Sequence, residues 1–191
     1  MRRLSMNFNK HFNLKDAHAF LGASQHSWIN YDDEKLMSSY YKFQATIRGT
    51  KLHEMAKMLI EMKQDLPETN DTLNMYVNDA IFYNMVPEQI LFYSRNCFGT
   101  ADAISYDDGL LRIHDLKTGT TPVSMDQLKI YASLFCLEYD VALKDIDCEL
   151  RIYQSNRVIV ETPTIKDLAP ICDKIIHFDE LLNKIRLEEG L

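Results

Sequence analysis

The chain has 191 residues, 46% of them hydrophobic and 26% charged, and its formal net charge is -7. This length and composition fit one globular domain and exclude a wholly disordered or fibrous protein. No run approaches the roughly 18 apolar residues of a membrane span, and the basic start leads into polar residues rather than an apolar signal core. We therefore expect a cytoplasmic chain with no membrane partner.

The charge is distributed unevenly. Residues 1–63 hold 10 Lys and Arg against 6 Asp and Glu, whereas residues 64–191 hold 11 against 22. An acidic total argues against a general nucleic-acid coat protein, because phosphate binding needs basic surface. The two segments therefore face different partners, or one of them hosts cations.

The cysteines give little support to a metal cluster. Cys97, Cys136, Cys148 and Cys172 form no CxxC pair, and no histidine lies at zinc-finger spacing from two of them. We expect reduced thiols that are mostly buried, and no iron–sulfur cluster.

The first half of the chain is predicted to be mainly helical. Residues 1–45 mix aromatic side chains with polar breaks and are expected to wrap the core, with a short helix opening at Ser24. From Thr50, apolar residues recur every three or four positions as far as Leu66, which predicts a helix. A second helix is predicted over residues 72–84.

After Pro87 the hydrophobic pattern changes to that of strands. Three short runs predict an antiparallel meander: residues 90–93, 98–105 and 110–116. A helix over 124–139 follows, capped by Ser124, Asp126 or both. The last predicted elements are two strands over 148–153 and 158–162 and a helix over 164–188.

This order predicts an α/β fold in which helices flank a mixed central sheet that contains the three-stranded meander. We expect a single domain over 1–191, divided into the wrap over 1–45, a core over 46–162 and a C-terminal helix over 163–191.

The central hairpin places two aspartates opposite each other. Asp108-Gly109 is a strong two-residue turn, and its register sets Asp102 against Asp115, with Cβ atoms about 4.5–5.5 Å apart. Lys117 projects from the same face as Asp115. Opposed carboxylates destabilise a sheet unless a cation lies between them, so the hairpin predicts a divalent metal site. A three-residue turn would move Asp102 to the other face.

Other candidate residues have an ordinary structural interpretation when each is considered alone. His53 borders the apolar stripe of its predicted helix and is either a semi-buried structural histidine or a metal ligand. Gln127 and Tyr131 share a helix face, where such a pair is usually a surface pair. Glu88 is more often a surface residue, and His114 points to the face opposite Asp115 and is interpreted as structural.

Four motifs follow one another in order: GTxxH (residues 49–53), GTAD (99–102), DLKTG (115–119) and QxxxY (127–131). Each is weak alone, but their order, spacing and predicted elements resemble the RecB-like branch of the PD-(D/E)XK nuclease superfamily over residues 49–131. The resemblance implies a restriction-endonuclease-like core.

The resemblance also implies a metal-dependent DNA nuclease. One or two Mg²⁺ or Mn²⁺ ions would be bound by His53, Asp102, Asp115 and the carbonyl oxygen of Leu116. Glu88 is an additional candidate site residue to which no role is assigned. The catalytic positions would be Asp102, Asp115, Lys117, Gln127 and Tyr131. The substrate would contact Arg48, Lys51, Thr118, Gln127 and Tyr131.

The leading hypothesis is an exonuclease or single-strand-active nuclease of DNA recombination, repair or replication, of a kind that phages encode, in a bacterial cytosol or a phage-infected host cell. Its partner would be DNA, together with a single-strand-binding or recombination protein, and a homo-oligomer is compatible with this hypothesis. One alternative is a structure- or sequence-specific endonuclease of the same superfamily. Another is a non-catalytic module that binds nucleic acid or a protein partner.

Overall fold

The computed structural model describes residues 9–15 and 17–190 and divides the chain into two compact units, which meet at Ile47 and Arg48 in the sequence. This boundary falls two residues after the predicted end of the N-terminal wrap. The first eight residues of that wrap, together with Asp16, lie outside the described part of the chain.

The described residues form two 3₁₀ segments, four α-helices and five strands. The 3₁₀ segments are Phe12–Leu14 and Ala23–Asn30. The helices are α1 (Asp33–Glu61), α2 (Thr72–Phe82), α3 (Asp126–Glu138) and α4 (Ile165–Glu189). The strands are β1 (Val86–Ser94), β2 (Cys97–Asp107), β3 (Leu110–Lys117), β4 (Asp147–Gln154) and β5 (Arg157–Glu161).

The first unit is organised by aromatic contacts. The ring of Phe20 lies 5.2 Å from that of Tyr40 and 5.3 Å from that of Phe43, and the indole of Trp28 donates a hydrogen bond to the carbonyl of Gly22. The short helix expected at Ser24 is a 3₁₀ segment that is interrupted at Gln25, where the backbone leaves the helical region.

The helix predicted from Thr50 begins much earlier, so that prediction was wrong at both ends. Helix α1 begins at Asp33, where the Asp32 carboxylate accepts a hydrogen bond from the amide of Lys35 at 2.7 Å, as an N-cap does. It ends at Glu61, and Lys63 follows with a left-handed φ of 52°. The early turns do carry residues at helical spacing, Leu36, Tyr40, Phe43 and Ile47, but most of this segment was assigned from the sequence to the N-terminal wrap.

The sheet has the order β1-β2-β3-β4-β5, with β3 and β4 parallel and the other neighbours antiparallel. The predicted mixed sheet and its meander are confirmed. The pair Asp107–Leu110 is formed, and Asp108 and Gly109 have φ values of 47° and 82°, as a two-residue hairpin turn requires.

Two hydrophobic cores stabilise this sheet. The first core includes residues of α3 and α4, and the second includes residues of the C-terminal half of α1 and of α2. Strand β3 alternates between them, since Leu111 and Ile113 belong to the first core and Leu116 to the second. The predicted helix over 124–139 is α3. Its N-cap position is Met125 and not Ser124 or Asp126, although Ser124 accepts a hydrogen bond from the amide of Asp126.

The cysteines agree with the sequence analysis. All four are free, Cys97 is half-buried, and Cys136, Cys148 and Cys172 are buried. Burial raises the pKa of the Cys136 thiol to about 12 and that of Cys148 to about 11, which keeps both protonated.

Among the described helices, none has the length and apolar character needed to cross a bilayer.

His114 is part of a buried polar network on the side of the sheet that faces α2. Its Nδ1 lies 3.2 Å from the hydroxyl of Tyr153, which donates to Asp79. Arg151 also donates to Asp79, at 2.8 Å, and to the hydroxyl of Tyr83 at 3.1 Å. The structural interpretation of His114 therefore agrees with its surroundings.

We expect His114 to make stability depend on pH. Burial, then the charges of Arg151 and Arg112, lower the pKa of His114 to about 3, so the unfolded chain takes up this proton at a higher pH than the folded chain. The stabilisation is complete above about pH 6.5 and is lost as the pH falls toward 3, by up to about 1.4 kcal/mol per pH unit. Urea denaturation at about pH 7 and about pH 5 should show a smaller pH effect in His114→Gln than in the wild type.

The matched control is His177→Gln, because His177 is exposed on α4. It should keep the wild-type pH dependence. Equal pH dependence in His114→Gln and in the wild type would contradict the role assigned to the buried imidazole.

Candidate active site

Side chains from all four motifs meet at one end of the β2–β3 hairpin. The imidazole Nδ1 of His53 on α1 lies 3.4 Å from Oδ2 of Asp102 on β2. The ammonium of Lys117, at the end of β3, donates to Oδ1 of Asp115 and to Oε1 of Gln127 on α3, each at 3.0 Å. The structure therefore brings together candidate residues that are far apart in the sequence.

Asp102 is held by the backbone of β3. The β2–β3 ladder has the predicted register as far as the pair Ala103–His114 and ends there. One position further on, the amide of Leu116 donates to Oδ2 of Asp102 at 2.9 Å. Asp102 and Asp115 were expected to form the next pair, but the backbone pairing has ended at this position. The hydrogen bond from the Leu116 amide to the Asp102 side chain connects the two strands there instead.

Asp115 carries a buried negative charge, since only 2% of the residue is exposed. Its Oδ1 accepts from Lys117, while Oδ2 is buried and accepts no hydrogen bond from any described residue. Burial, followed by the nearby charge of Asp102, raises the pKa of Asp115, although Lys117 opposes the shift. The site therefore holds a carboxylate whose surroundings do not compensate its charge.

Glu88 joins this group through an irregularity in β1. It lies between the ladder pairs Pro87–Ala103 and Gln89–Ala101, which places it opposite Asp102. Its φ of 52° is in the left-handed region, which is uncommon for a residue with a side chain. Burial, then the charge of Asp102, raises the pKa of Glu88.

The alternation of side chains between the two faces of β2 is also interrupted next to Glu88. Ala101 and Ile104 both belong to the first core, whereas Ala103 belongs to the second. Strict alternation would put Ala101 and Ala103 on the same face, so the two-residue period is interrupted at Asp102. Glu88 and Asp102 thus lie where both strands depart from regular geometry.

Three of these residues could hold a metal ion. His53, Glu88 and Asp102 each offer one ligand atom, and the three atoms lie within 4.8 Å of one another. Two carboxylates and an imidazole suit a divalent ion such as Mn²⁺. Asp115 is not one of the three, although its charge acts on His53. The residues present therefore fit a divalent cation.

The expected ligand set overlaps this cluster in part. His53 and Asp102 were expected, and Glu88, expected only as an additional residue, completes the group of three. The hydrogen bond with Asp102, against an opposing effect of burial, raises the pKa of His53. Ligation by Asp115 and by the carbonyl of Leu116 stays a prediction.

The glycines of two motifs allow close contacts between elements. A Cβ added to Gly49 on α1 would lie 2.9 Å from the hydroxyl oxygen of Thr118, after β3. A Cβ added to Gly99 on β2 would lie 2.8 Å from Cε1 of Tyr131 on α3. Tyr131 in turn accepts a hydrogen bond from Gln127 at 3.0 Å, so the four motifs pack against one another in pairs.

The expected substrate contacts lie on exposed surface. Arg48 and Lys51 are exposed on α1, and Thr118 and Gln127 are exposed near Lys117. A cleft of about 460 Å³ opens beside Lys117, lined also by Leu52 and residues 118–120. A larger cleft of about 830 Å³, along α2, is lined by none of the candidate residues.

Comparisons with protein-family models, with curated proteins and with solved structures gave no match to this chain. The functional assignment therefore depends on the geometry of the site and on the motifs.

We expect Gly99 and Tyr131 to be energetically coupled. Gly99→Ala should destabilise the fold by about 1–3 kcal/mol, because the new methyl overlaps the ring edge of Tyr131. The same change in a Tyr131→Leu background should cost less, and a double-mutant cycle by urea denaturation measures the difference. Additive effects of the two substitutions would contradict this contact.

We also expect the charge of Asp115 to reduce the stability of the metal-free protein. Because burial and Asp102 disfavour the ionised form of Asp115, Asp115→Asn should raise the denaturation midpoint measured in a chelator at neutral pH. Asp173→Asn, an exposed carboxylate on α4, is the matched control and should leave the midpoint unchanged. A lower midpoint for Asp115→Asn would show that the ion pair with Lys117 dominates instead.

Proposed function

We propose that this protein is a metal-dependent nuclease that hydrolyses phosphodiester bonds in DNA. The observation that carries the proposal is the arrangement of Asp115, which is buried with Lys117 on one oxygen and no described partner on the other. Burying a carboxylate beside Asp102 destabilises the fold, so a structural role does not account for it. A role in binding a cation and a phosphate group accounts for the burial of this carboxylate.

The motifs support the same assignment. The resemblance to RecB-like PD-(D/E)XK nucleases implies His53, Asp102, Asp115 and Lys117 as site residues, and these side chains lie together. The proposed nuclease has a restriction-endonuclease-like core and acts in DNA recombination, repair or replication.

The ion would be Mg²⁺ or Mn²⁺, held by His53, Glu88 and Asp102. Asp115 and the carbonyl oxygen of Leu116 are the further ligands that the motifs imply. When bound, such an ion lowers the pKa of a coordinated water and neutralises charge on the phosphate oxygens. Glu88 and Asp102 carry the negative charge that attracts the ion. Asp102 also fixes the orientation of His53, with Nδ1 directed at its Oδ2.

Lys117 would supply a fixed positive charge beside the scissile phosphate, where negative charge increases in the transition state. Its ammonium is positioned by two acceptors, Asp115 and Gln127, each at 3.0 Å. Gln127 is itself held because its amide nitrogen donates to the hydroxyl of Tyr131. Gln127 and Tyr131 therefore act as positioning residues for Lys117.

The substrate side of the site is basic on α1. Arg48 is exposed about one and a half turns before His53 and Lys51 about half a turn before it, where they can contact backbone phosphates. Binding should weaken as salt is raised, because each phosphate contact releases counterions. DNA is therefore the proposed partner, with a single-strand-binding or recombination protein as the expected accessory partner.

Cleavage should depend on Asp115 and Lys117. With Mg²⁺ or Mn²⁺ and end-labelled linear DNA, Asp115→Asn and Lys117→Ala should each lower the rate by roughly a hundredfold or more, because each loses charge that acts in the transition state. Lys174→Ala, an exposed lysine on α4, is the matched control and should cleave as the wild type does. Circular dichroism confirms that every variant is folded.

The same assay distinguishes the alternatives. An exonuclease leaves covalently closed circles intact, whereas an endonuclease nicks them. Undiminished cleavage by either site variant would contradict the proposal. A wild-type protein that neither cleaves DNA nor binds Mn²⁺ by calorimetry would instead be a non-catalytic module.

A further inference from the structure

A row of exposed apolar side chains lies on one face of the β1–β2 hairpin. Phe92 pairs with Phe98 across the two strands, and Ile90 pairs with Thr100. The exposed fractions are 62% for Phe98, 56% for Ile90 and 45% for Phe92, and the two aromatic rings lie 6.3 Å apart. We call Ile90, Phe92, Phe98 and Thr100 the apolar platform.

The other face of this hairpin is covered. Leu91 and Ala101 are fully buried in the first core, and Gly99 contacts Tyr131 of α3. The exposure of the platform is therefore a property of one face of an ordered hairpin. It is not the result of strands that lack a core.

The platform leads to the candidate active site. Two residues beyond Ile90 and Thr100, in the direction away from the hairpin turn, are Glu88 and Asp102. The four residue steps from Phe98 to Asp102 span about 13 Å of extended strand. At the other end of the row, the exposed Arg95 lies in the turn between β1 and β2.

The open edge of β1 is poorly suited to pairing with another strand. The amide of Phe92 donates to the carboxylate of Glu138 at 2.7 Å, and the carbonyl of Ile90 accepts from the side-chain amide of Gln89 at 2.7 Å. An added strand would need both of these backbone groups.

The platform is also small for an interface between two copies of the chain. Three half-exposed large side chains present roughly 300 Å² in all, since an aromatic side chain has about 150–250 Å² of surface. A stable protein–protein interface needs about 800 Å² from each partner. Bases of an unpaired strand fit a surface of this size and chemistry better.

We propose that single-stranded DNA binds along this hairpin, with its bases stacked on Phe92 and Phe98 and its backbone phosphate contacting Arg95. This inference rests on the proposed nuclease function and names the form of DNA that reaches the site. Every base has a π-face, so such stacking selects unpaired nucleotides over duplex without selecting a sequence. The strand continues from the platform toward Asp102 and Lys117.

The test is a binding measurement that needs no catalysis. In a chelator, the anisotropy of a fluorescein-labelled oligothymidine of about 12 nucleotides is titrated with each protein. The double variant Phe92→Ala/Phe98→Ala should bind about tenfold or more weakly than the wild type. Phe98→Tyr keeps an aromatic ring and should bind as the wild type does.

Phe82→Ala is the matched control, because Phe82 is an exposed phenylalanine at the end of α2 and not on the hairpin. It should leave the affinity unchanged. Equal affinity of the double alanine variant and the wild type would overturn the inference. A wild-type dimer that becomes a monomer on Phe92→Ala/Phe98→Ala in gel filtration would also overturn it and assign the platform to self-association.

The two proposals can fail separately. If cleavage depends on Asp115 but the phenylalanine substitutions do not affect binding, the nuclease function is supported and the DNA-binding role of the platform is contradicted. If binding depends on the phenylalanines but no substrate is cleaved, the single-strand-binding role of the platform is supported and the nuclease function is contradicted.

Discussion

The uncompensated charge of Asp115 is the constraint on which the rest of the site depends. A buried carboxylate with a second carboxylate close by is costly unless its neighbours supply positive charge. Lys117 supplies one positive charge and Asp102 adds a negative one. The surrounding elements therefore hold together groups that would separate in a less rigid fold.

That rigidity comes from the sheet and its two cores. The two-residue turn at Asp108-Gly109 sets the register of β2 against β3, and the parallel pairing of β3 with β4 buries β3 in the centre of the sheet. Helices on both faces restrict any rearrangement of β3. The polar network around His114, the residue just before Asp115, adds fixed hydrogen bonds on the side of the sheet that faces α2.

Much of the architecture was predictable because it depends on local signals. The change of hydrophobic period at Pro87 and the turn at Asp108-Gly109 predict the meander and the register that the structure confirms. The start of α1 was missed because its stripe of Leu36, Tyr40, Phe43 and Ile47 is half aromatic or lies among polar residues, and the segment was assigned to the wrap. The significance of Glu88 was missed because the predicted strand began at Ile90, and a left-handed φ at a glutamate leaves no mark in the sequence. A resemblance to a nuclease core is carried by motifs, and it stays a prediction.

The three buried cysteines give the protein an internal probe of its own opening. Cys136, Cys148 and Cys172 lie on α3, β4 and α4, and all are buried, with Cys136 close to the other two. A thiol reagent can reach them only when these elements separate, so modification rates report the free energy of local opening around the sheet. Cys97, half-buried near the hairpin turn, reports a different region. Site variants can thus be compared in local stability without adding any label to the chain.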